Sequence, residues 1–221
     1  MTTETTDWSA TLRPLDLAAL RPVFPADAIR KNAGVALDDE QTFRRRGRHE
    51  ADDCTRIAKA KDVLVALPGD GESVHVLLSG HFRNSDFVPV ILDLAGSRCE
   101  SLSVCTLGYD RKTVDTLLRE LDGGRIGRLS MLSCVYAQSH FPDLHAWLTT
   151  ELDRRGSRHM AARVHVKVMA FTFLDGRRIA VESSANLRSC NMAELTTVTA
   201  DAGLTEFHHR WIDDLFRKAQ G

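Results

Sequence analysis

The sequence predicts an α/β protein built on a mixed central sheet, and three observations carry that prediction. From about residue 100, short β-rich apolar runs alternate with longer amphipathic stretches, the pattern of a sheet covered by helices. An Asp175-Gly176 pair separates two strand-like segments, which marks an antiparallel hairpin within the sheet. The stretch 204–219 places Phe207, Trp211 and Leu215 four residues apart, with Ile212 and Phe216 beside them, as a helix laid on a sheet requires.

Taken in order, residues 1–60 read as a partly helical N-terminal arm, and 61–221 as the domain proper. Pro14, Pro22 and Pro25 break the arm into pieces, with short helices expected over 16–20 and 26–31. Its basic cluster Arg44, Arg45, Arg46, Arg48 and His49 has two readings: a holder of phosphates, or a solvated turn balanced by Asp38, Asp39, Glu40, Glu50, Asp52 and Asp53. Strands are expected over 63–67 and 73–78, joined across Pro68-Gly69-Asp70-Gly71. A helix over 85–94 has Asn84 or Ser85 to cap its start and Gly96 beyond its end. Then follow a strand over 101–106, a helix over 110–121 stopped by Gly123-Gly124, a strand over 126–134, and a helix over 142–155 begun by Pro142 and ended by Gly156. Strands over 163–173, 178–182 and 195–200 precede the last helix. His208 and His209 on that helix read as surface or boundary residues.

Composition excludes several classes. With 43% hydrophobic and 27% charged residues among 221, the chain can bury a substantial core and is neither disordered nor low in complexity. A formal net charge of -1 makes any grip on nucleic acid a local matter. Cys54, Cys99, Cys105, Cys134 and Cys190 form no C-x-x-C pair, so reduced thiols and a cytoplasmic setting are expected, with Cys190 a packed thiol. The first residues lack the basic and apolar regions of a signal peptide, and no run reaches the ~18 apolar residues of a membrane span, so no stable membrane association is expected.

The chemistry concentrates between Arg163 and Glu194. On an extended strand His165 and Lys167 leave the same face, and the hairpin returns Ser184 and Asn186 toward them. An imidazole attacks phosphorus, an ammonium neutralises a phosphate oxygen, and a hydroxyl and a carboxamide hydrogen-bond the remaining oxygens. Glu194 is expected to hold the far nitrogen of His165 and fix its tautomer. Such a site requires neither metal nor cofactor. Arg163, Ser183 and Arg188 are the expected substrate-binding residues beside it.

His165-x-Lys167, Ser184-x-Asn186 and the downstream Glu194 resemble the signature of the phospholipase D superfamily. Thr172 stands where that signature has Asp, and Ser183 where it has Gly. The resemblance extends from about Ser79 to Trp211, including Ser79-Gly-His-Phe and Phe207-His-His-Arg-Trp, and looks like a single-motif bacterial and phage branch. It implies an α-β-α sandwich, a phosphohistidine intermediate and two histidines per reaction. Only one His-x-Lys is present and there is no internal repeat, so a homodimer sharing one site is the expected partner arrangement, with His81 in reserve as an added site residue.

Substrate class is read from arginines. Arg154, Arg155, Arg158, His159 and Arg163 precede the site and Arg188 follows it, a cluster suited to nucleic-acid phosphates unless it pairs internally with Glu151 and Asp153. The expected activity is a nuclease-like phosphodiesterase. The alternatives are a catalytically silent nucleic-acid-binding module and a phospholipid or small-phosphodiester hydrolase.

Overall fold

The computed structural model describes residues 48–188 and 192–219, with side chains from residue 53 onward. In chain order the elements are helix α1 (Arg48–Val63), strand β1 (Ser73–Leu78), a single 3-10 turn (Asn84–Asp86), helix α2 (Phe87–Ala95), β2 (Cys99–Thr106), α3 (Arg111–Asp122) and β3 (Leu129–Cys134). They continue with α4 (Val135–His140), α5 (Pro142–Asp153), β4 (Arg158–Ala162), β5 (Val168–Phe173), β6 (Arg178–Ser183), β7 (Glu194–Thr199) and α6 (Ala202–Lys218). The expected helices over 16–20 and 26–31, Arg44 to Arg46, and Cys190 lie outside the described residues.

The seven strands form one mixed sheet in the order β1-β7-β6-β5-β2-β3-β4. β2, β3 and β4 run parallel to one another, and the other neighbours are antiparallel. Parallel neighbours need a crossover, and the sequence supplies helices there: α3 between β2 and β3, α4 and α5 between β3 and β4. The main core lies between one sheet face and helices α1 to α5, around Phe87, Leu102, Leu129, Phe171 and Phe173. On the other face α6 packs over Cys105, Leu132 and Val168 through Ile212 and Phe216, the one helix there among the described residues. The mixed α/β sandwich expected from the alternation is the fold observed.

Local signals placed many boundaries. Asp110 accepts from the Thr113 amide and starts α3, and Asp201 accepts from the Leu204 amide and starts α6. Gly96 ends α2 at φ 58°, a left-handed conformation that only glycine adopts without cost.

Four expectations are corrected. The run 63–67 is no strand: α1 carries on to Val63, and Leu64 donates back to the Ala60 carbonyl at 3.0 Å before Val65 emerges into solvent. Five apolar residues are too few to tell a strand from the buried end of a helix. β1 therefore pairs with β7, far along the chain. α1 itself went unpredicted because its sequence is charged; it holds on through Ile57, Ala60 and Leu64, and through Arg56 on Asp86 at 3.3 Å. This helix runs through residue 60, where the arm was expected to end. Third, β5 begins at Val168 rather than residue 163, because β2 ends at Thr106 and offers the preceding residues no ladder partner. Finally, the buried stripe of α6 is Thr205, His208, Ile212 and Phe216, turned so that Phe207 is exposed.

Candidate active site

The ends of β5, β6 and β7 lie side by side, and they gather the motif. Ser183 donates its amide to the Lys167 carbonyl at 3.0 Å, and Ser184 donates its amide to the Leu195 carbonyl at 2.9 Å. Residues 167, 183–184 and 194–195 are thereby held at one edge by backbone bonds, although 194 follows 167 by two strands. His165 sits in the loop entering β5, not on the strand, and it is exposed. Its contact with Lys167 survives the change: Nζ lies 3.0 Å from His165 Nδ1 and 3.0 Å from the His165 carbonyl oxygen.

That contact defines a tautomer. An ammonium has no acceptor, so Nδ1 accepts from Lys167 and the ring proton resides on Nε2. In this pose the ring is a neutral imidazole that offers Nε2–H as a hydrogen-bond donor. For Nε2 to attack, the ring proton must move to Nδ1 and find an acceptor there.

Glu194 is not that acceptor in the pose observed. Its Oε2 accepts from the Ser184 hydroxyl, while that hydroxyl accepts from the Leu195 amide at 3.0 Å. The motif therefore forms two pairs, His165 with Lys167 and Ser184 with Glu194. Asn186 follows in the loop beyond β6, and its Oδ1 is buried without a hydrogen-bond partner among the described residues.

Ser183 makes internal contacts through its side chain. Its hydroxyl lies 2.6 Å from Thr196 Oγ1 and accepts from the Ala185 amide at 2.9 Å, so it shapes the turn that carries Ser184 and Asn186. Thr172, at the signature's Asp position, is five residues from Lys167 along β5, about 16 Å at the usual rise of an extended strand.

Behind the motif loop lies a buried polar turn that sequence reading passed over as a helix cap. Asn84 Nδ2 donates to the Ala185 carbonyl at 3.2 Å, and Ser85 donates its amide to the Leu187 carbonyl at 3.3 Å. Asp86 accepts from the Arg83 amide at 2.7 Å; burial raises the Asp86 carboxyl pKa, opposed by that bond and by Arg56 and Arg83. Arg83 Nε, Asn84 Oδ1 and Ser85 Oγ are buried without partners among the described residues. The succession Arg-Asn-Ser-Asp just after a strand was the signal available: four polar residues in an otherwise apolar stretch. His81, the reserve candidate, is exposed beside this turn.

Most of the expected arginine cluster is engaged. Arg154 pairs with Glu151 at 2.9 Å, Arg155 with Asp122 and Glu151 at 2.7 Å each, and Arg158 with Asp213. His159 is buried between the Ser133 hydroxyl at 3.0 Å and the Thr149 hydroxyl at 2.8 Å, and burial pushes its pKa down to about 3. Arg163 and Arg188 remain exposed. Arg188 lies over Gly108, with its Nε 3.1 Å from where a Cβ would stand. It borders a small hollow shared with Tyr136 and Phe141, which are 52% and 48% exposed. The Thr106 hydroxyl accepts from the Leu187 amide at 3.3 Å and ties this corner to the motif loop.

None of the described thiols is bonded to the motif side chains. Among the described residues Cys54, Cys99, Cys105 and Cys134 are free, and burial pushes the Cys99 and Cys105 thiols up to about 12.

The fold and this cluster define a mixed-sheet α/β protein with an imidazole, an ammonium, a hydroxyl and a carboxylate gathered at one end of three adjacent strands. Among solved structures the chain is similar to a phospholipase D family member, Nuc from Salmonella typhimurium, with 10% identity over 66% of this chain and 95% of that one and a TM-score of 0.47. It is similar to polyphosphate kinase from Porphyromonas gingivalis at 16% identity and TM-score 0.45, covering 66% of this chain but 25% of that one. Phosphatidylserine synthase from Haemophilus influenzae gives 14% identity and TM-score 0.45, over 72% of this chain and 40% of the other. At these identities the likeness concerns the fold alone. No protein-family model and no characterised protein sequence matches the chain. Among the described residues, no helix is long and apolar enough to cross a membrane.

Proposed function

We propose that the chain is a metal-independent phosphodiesterase of phospholipase D type, nuclease-like in substrate, working as a homodimer in which two copies of His165 share one site. The observation that carries this reading is convergence. Backbone bonds hold the residues of the two pairs, His165 with Lys167 and Ser184 with Glu194, at the ends of adjacent strands, and Asn186 follows in the loop beyond β6 with its Oδ1 unpartnered among the described residues.

Nε2 of one His165 attacks phosphorus in line, forming a P–N bond as the P–O bond to the leaving group breaks. His165 of the partner subunit enters the step as an imidazolium, its Nδ1 protonated and released from Lys167, gives its Nε2 proton to the departing oxygen and is left a neutral imidazole. A water then attacks the phosphohistidine and loses its proton to the partner's His165, and the P–N bond breaks to free both imidazoles and a phosphomonoester. Lys167, Ser184 and Asn186 stabilise the phosphoryl oxygens. The attacking ring must first release Lys167 and donate from Nδ1, and Glu194 is the nearest motif carboxylate to receive that bond. Arg163 and Arg188 would track the backbone phosphates, and the rings of Tyr136 and Phe141 offer faces for unstacked bases.

Labelled single- and double-stranded nucleic acid, incubated with EDTA and either the wild type or His165→Ala, tests the reading. Cleavage by the wild type alone supports it. Binding by both proteins without cleavage by either points to a silent binding module. Turnover of a chromogenic phosphodiester without nucleic-acid affinity points to a small-substrate hydrolase.

A further inference from the structure

A cleft of about 770 Å³ is separate from the motif residues. It opens between α6 and the sheet at the end where β2 and β3 begin, whereas His165 and Lys167 lie at the end where β2 stops. The small apolar cluster around Ile212 and Phe216 closes only the half of this interface nearer Val168. Beyond it the sheet presents hydroxyls, Ser101, Ser103, Ser130 and Thr172, where an amphipathic helix would ordinarily meet apolar side chains.

His209 stands on this floor. Its Nδ1 lies 2.7 Å from the Ser103 hydroxyl and its Nε2 lies 3.1 Å from the Thr172 hydroxyl, so both ring nitrogens are held in place. Half-buried, it is a boundary residue, as expected. His208 is buried next to it: Trp211 Nε1 donates to His208 Nδ1 at 3.1 Å, leaving the proton on Nε2 for Glu182 Oε1 at 3.1 Å.

The cleft carries five arginines against three carboxylates. Two of those carboxylates are already engaged, Asp213 by Arg158 and Glu206 by Arg210 at 3.9 Å, and so are two of the arginines, Arg210 in that pair and Arg217 by Asp214. Arg178 is fixed from behind, its Nη1 donating to the carbonyls of Gly176 at 3.0 Å and Arg177 at 3.1 Å. The guanidinium groups of Arg98 and Arg128 have no ion-pair or hydrogen-bond partner among the described residues. Uncommitted positive charge, hydroxyl donors and a volume in the range of small-molecule sites coincide in one place.

We propose that this cleft is a second anion site, which takes a small, multiply charged phosphate compound no larger than a nucleotide. Its guanidinium groups bind the phosphate oxygens, and the Ser101 hydroxyl, not engaged by His209 or Arg158 as Ser103, Thr172 and Ser130 are, adds a hydrogen bond. The polar lining does not suit a lipid chain. The site does not depend on the activity of His165.

Calorimetric titration of the full chain with inorganic pyrophosphate and with ADP tests the proposal. Saturable binding of either probe is expected, in the wild type and equally in His165→Ala. Arg98→Gln with Arg128→Gln weakens it by about tenfold or more, circular dichroism showing the fold intact. The imidazole signal of His209, followed by NMR, supplies a local readout. Burial lowers its pKa first; Arg178 and Arg128 lower it further, while Asp213 and Glu206 raise it. An anion beside the ring moves its titration to higher pH. Binding of pyrophosphate alone assigns the site to the phosphate group, and tighter binding of ADP adds a nucleoside. Affinity weaker than about 1 mM for both probes, equal binding by the double variant, or a His209 titration unmoved by saturating probe each overturns the proposal.

Discussion

At the scale of single residues, the site divides into side chains whose removal affects chemistry and side chains whose removal affects folding. His165 is exposed and contacts Lys167, so His165→Ala is expected to lower phosphodiester turnover by about 10⁴-fold while leaving the thermal midpoint unchanged. Asn186 behaves differently again. Removing an oxyanion donor typically costs about 10²- to 10³-fold, so Asn186→Ala slows turnover on that order. It also deletes a buried acceptor that had no partner, so stability holds or rises slightly. Turnover rates and urea midpoints measured on the same preparation separate the two effects. Ser183→Ala takes the other side of the division: its hydroxyl orders the turn and touches Thr196, so its loss shows in stability.

His159 is the residue with the clearest pH signature. Its value falls from 6.5 in an unfolded chain to about 3 when buried between Ser133 and Thr149, with His145 adding repulsion. The folded state therefore refuses a proton that the unfolded chain accepts. The stability from this group is complete above pH 6.5 and is lost progressively as pH falls from 6.5 toward 3, on the order of 4 kcal/mol in all. Urea midpoints measured across that range decline in the wild type, and decline less steeply in His159→Gln.

At the scale of elements, capping and packing set which segments hold. Asp201 accepts from the Leu204 amide at 2.7 Å at the start of α6, so Asp201→Ala costs about 1 kcal/mol by urea unfolding. The effect reaches farther than the cap suggests, since α6 is the helix on its sheet face that carries His208 and His209. Sequence periodicity located α6 to within two residues, yet it turned the helix toward Phe207. A run of apolar residues at positions 207, 211, 212, 215 and 216 fits two neighbouring faces of a helix, and the choice is made by what lies beneath. Glu182 and Thr172 on the sheet reach up to His208 and His209, so the polar histidines face inward and a phenylalanine faces out.

β5 shows the same limit from the strand side. Apolar alternation ran from 163 to 173, and the pattern gave no reason to stop the strand at 168. The stop comes from the neighbour, because a strand without a ladder partner leaves its backbone groups to solvent. The hairpin across Asp175-Gly176 was legible because its turn chemistry is local.

At the scale of the whole molecule, the proposed reaction requires two copies. A single chain holds one His-x-Lys and the exposed edge of His165, Lys167 and Arg163. Sedimentation equilibrium is expected to give a dimer at assay concentrations. Mixing an excess of His165→Ala subunits into the wild type should depress activity beyond simple dilution, because mixed dimers lack one of the two imidazoles. Activity strictly proportional to wild-type subunits would place both acid and nucleophile within one chain.

Strand and helix periods, capping aspartates, a glycine at a helix end and an Asp-Gly turn act over a few residues. The chain therefore carried its α/β class, most of its element order and the identities of its motif side chains in plain view. Pairing partners are different. β1 against β7, Ser184 against Glu194 rather than His165 against Glu194, the buried face of α6, and the arginine-lined cleft all join residues distant in the chain. They are selected by which surfaces and hydrogen-bonding groups meet when the sheet closes, a competition among non-local contacts that no window of the sequence contains.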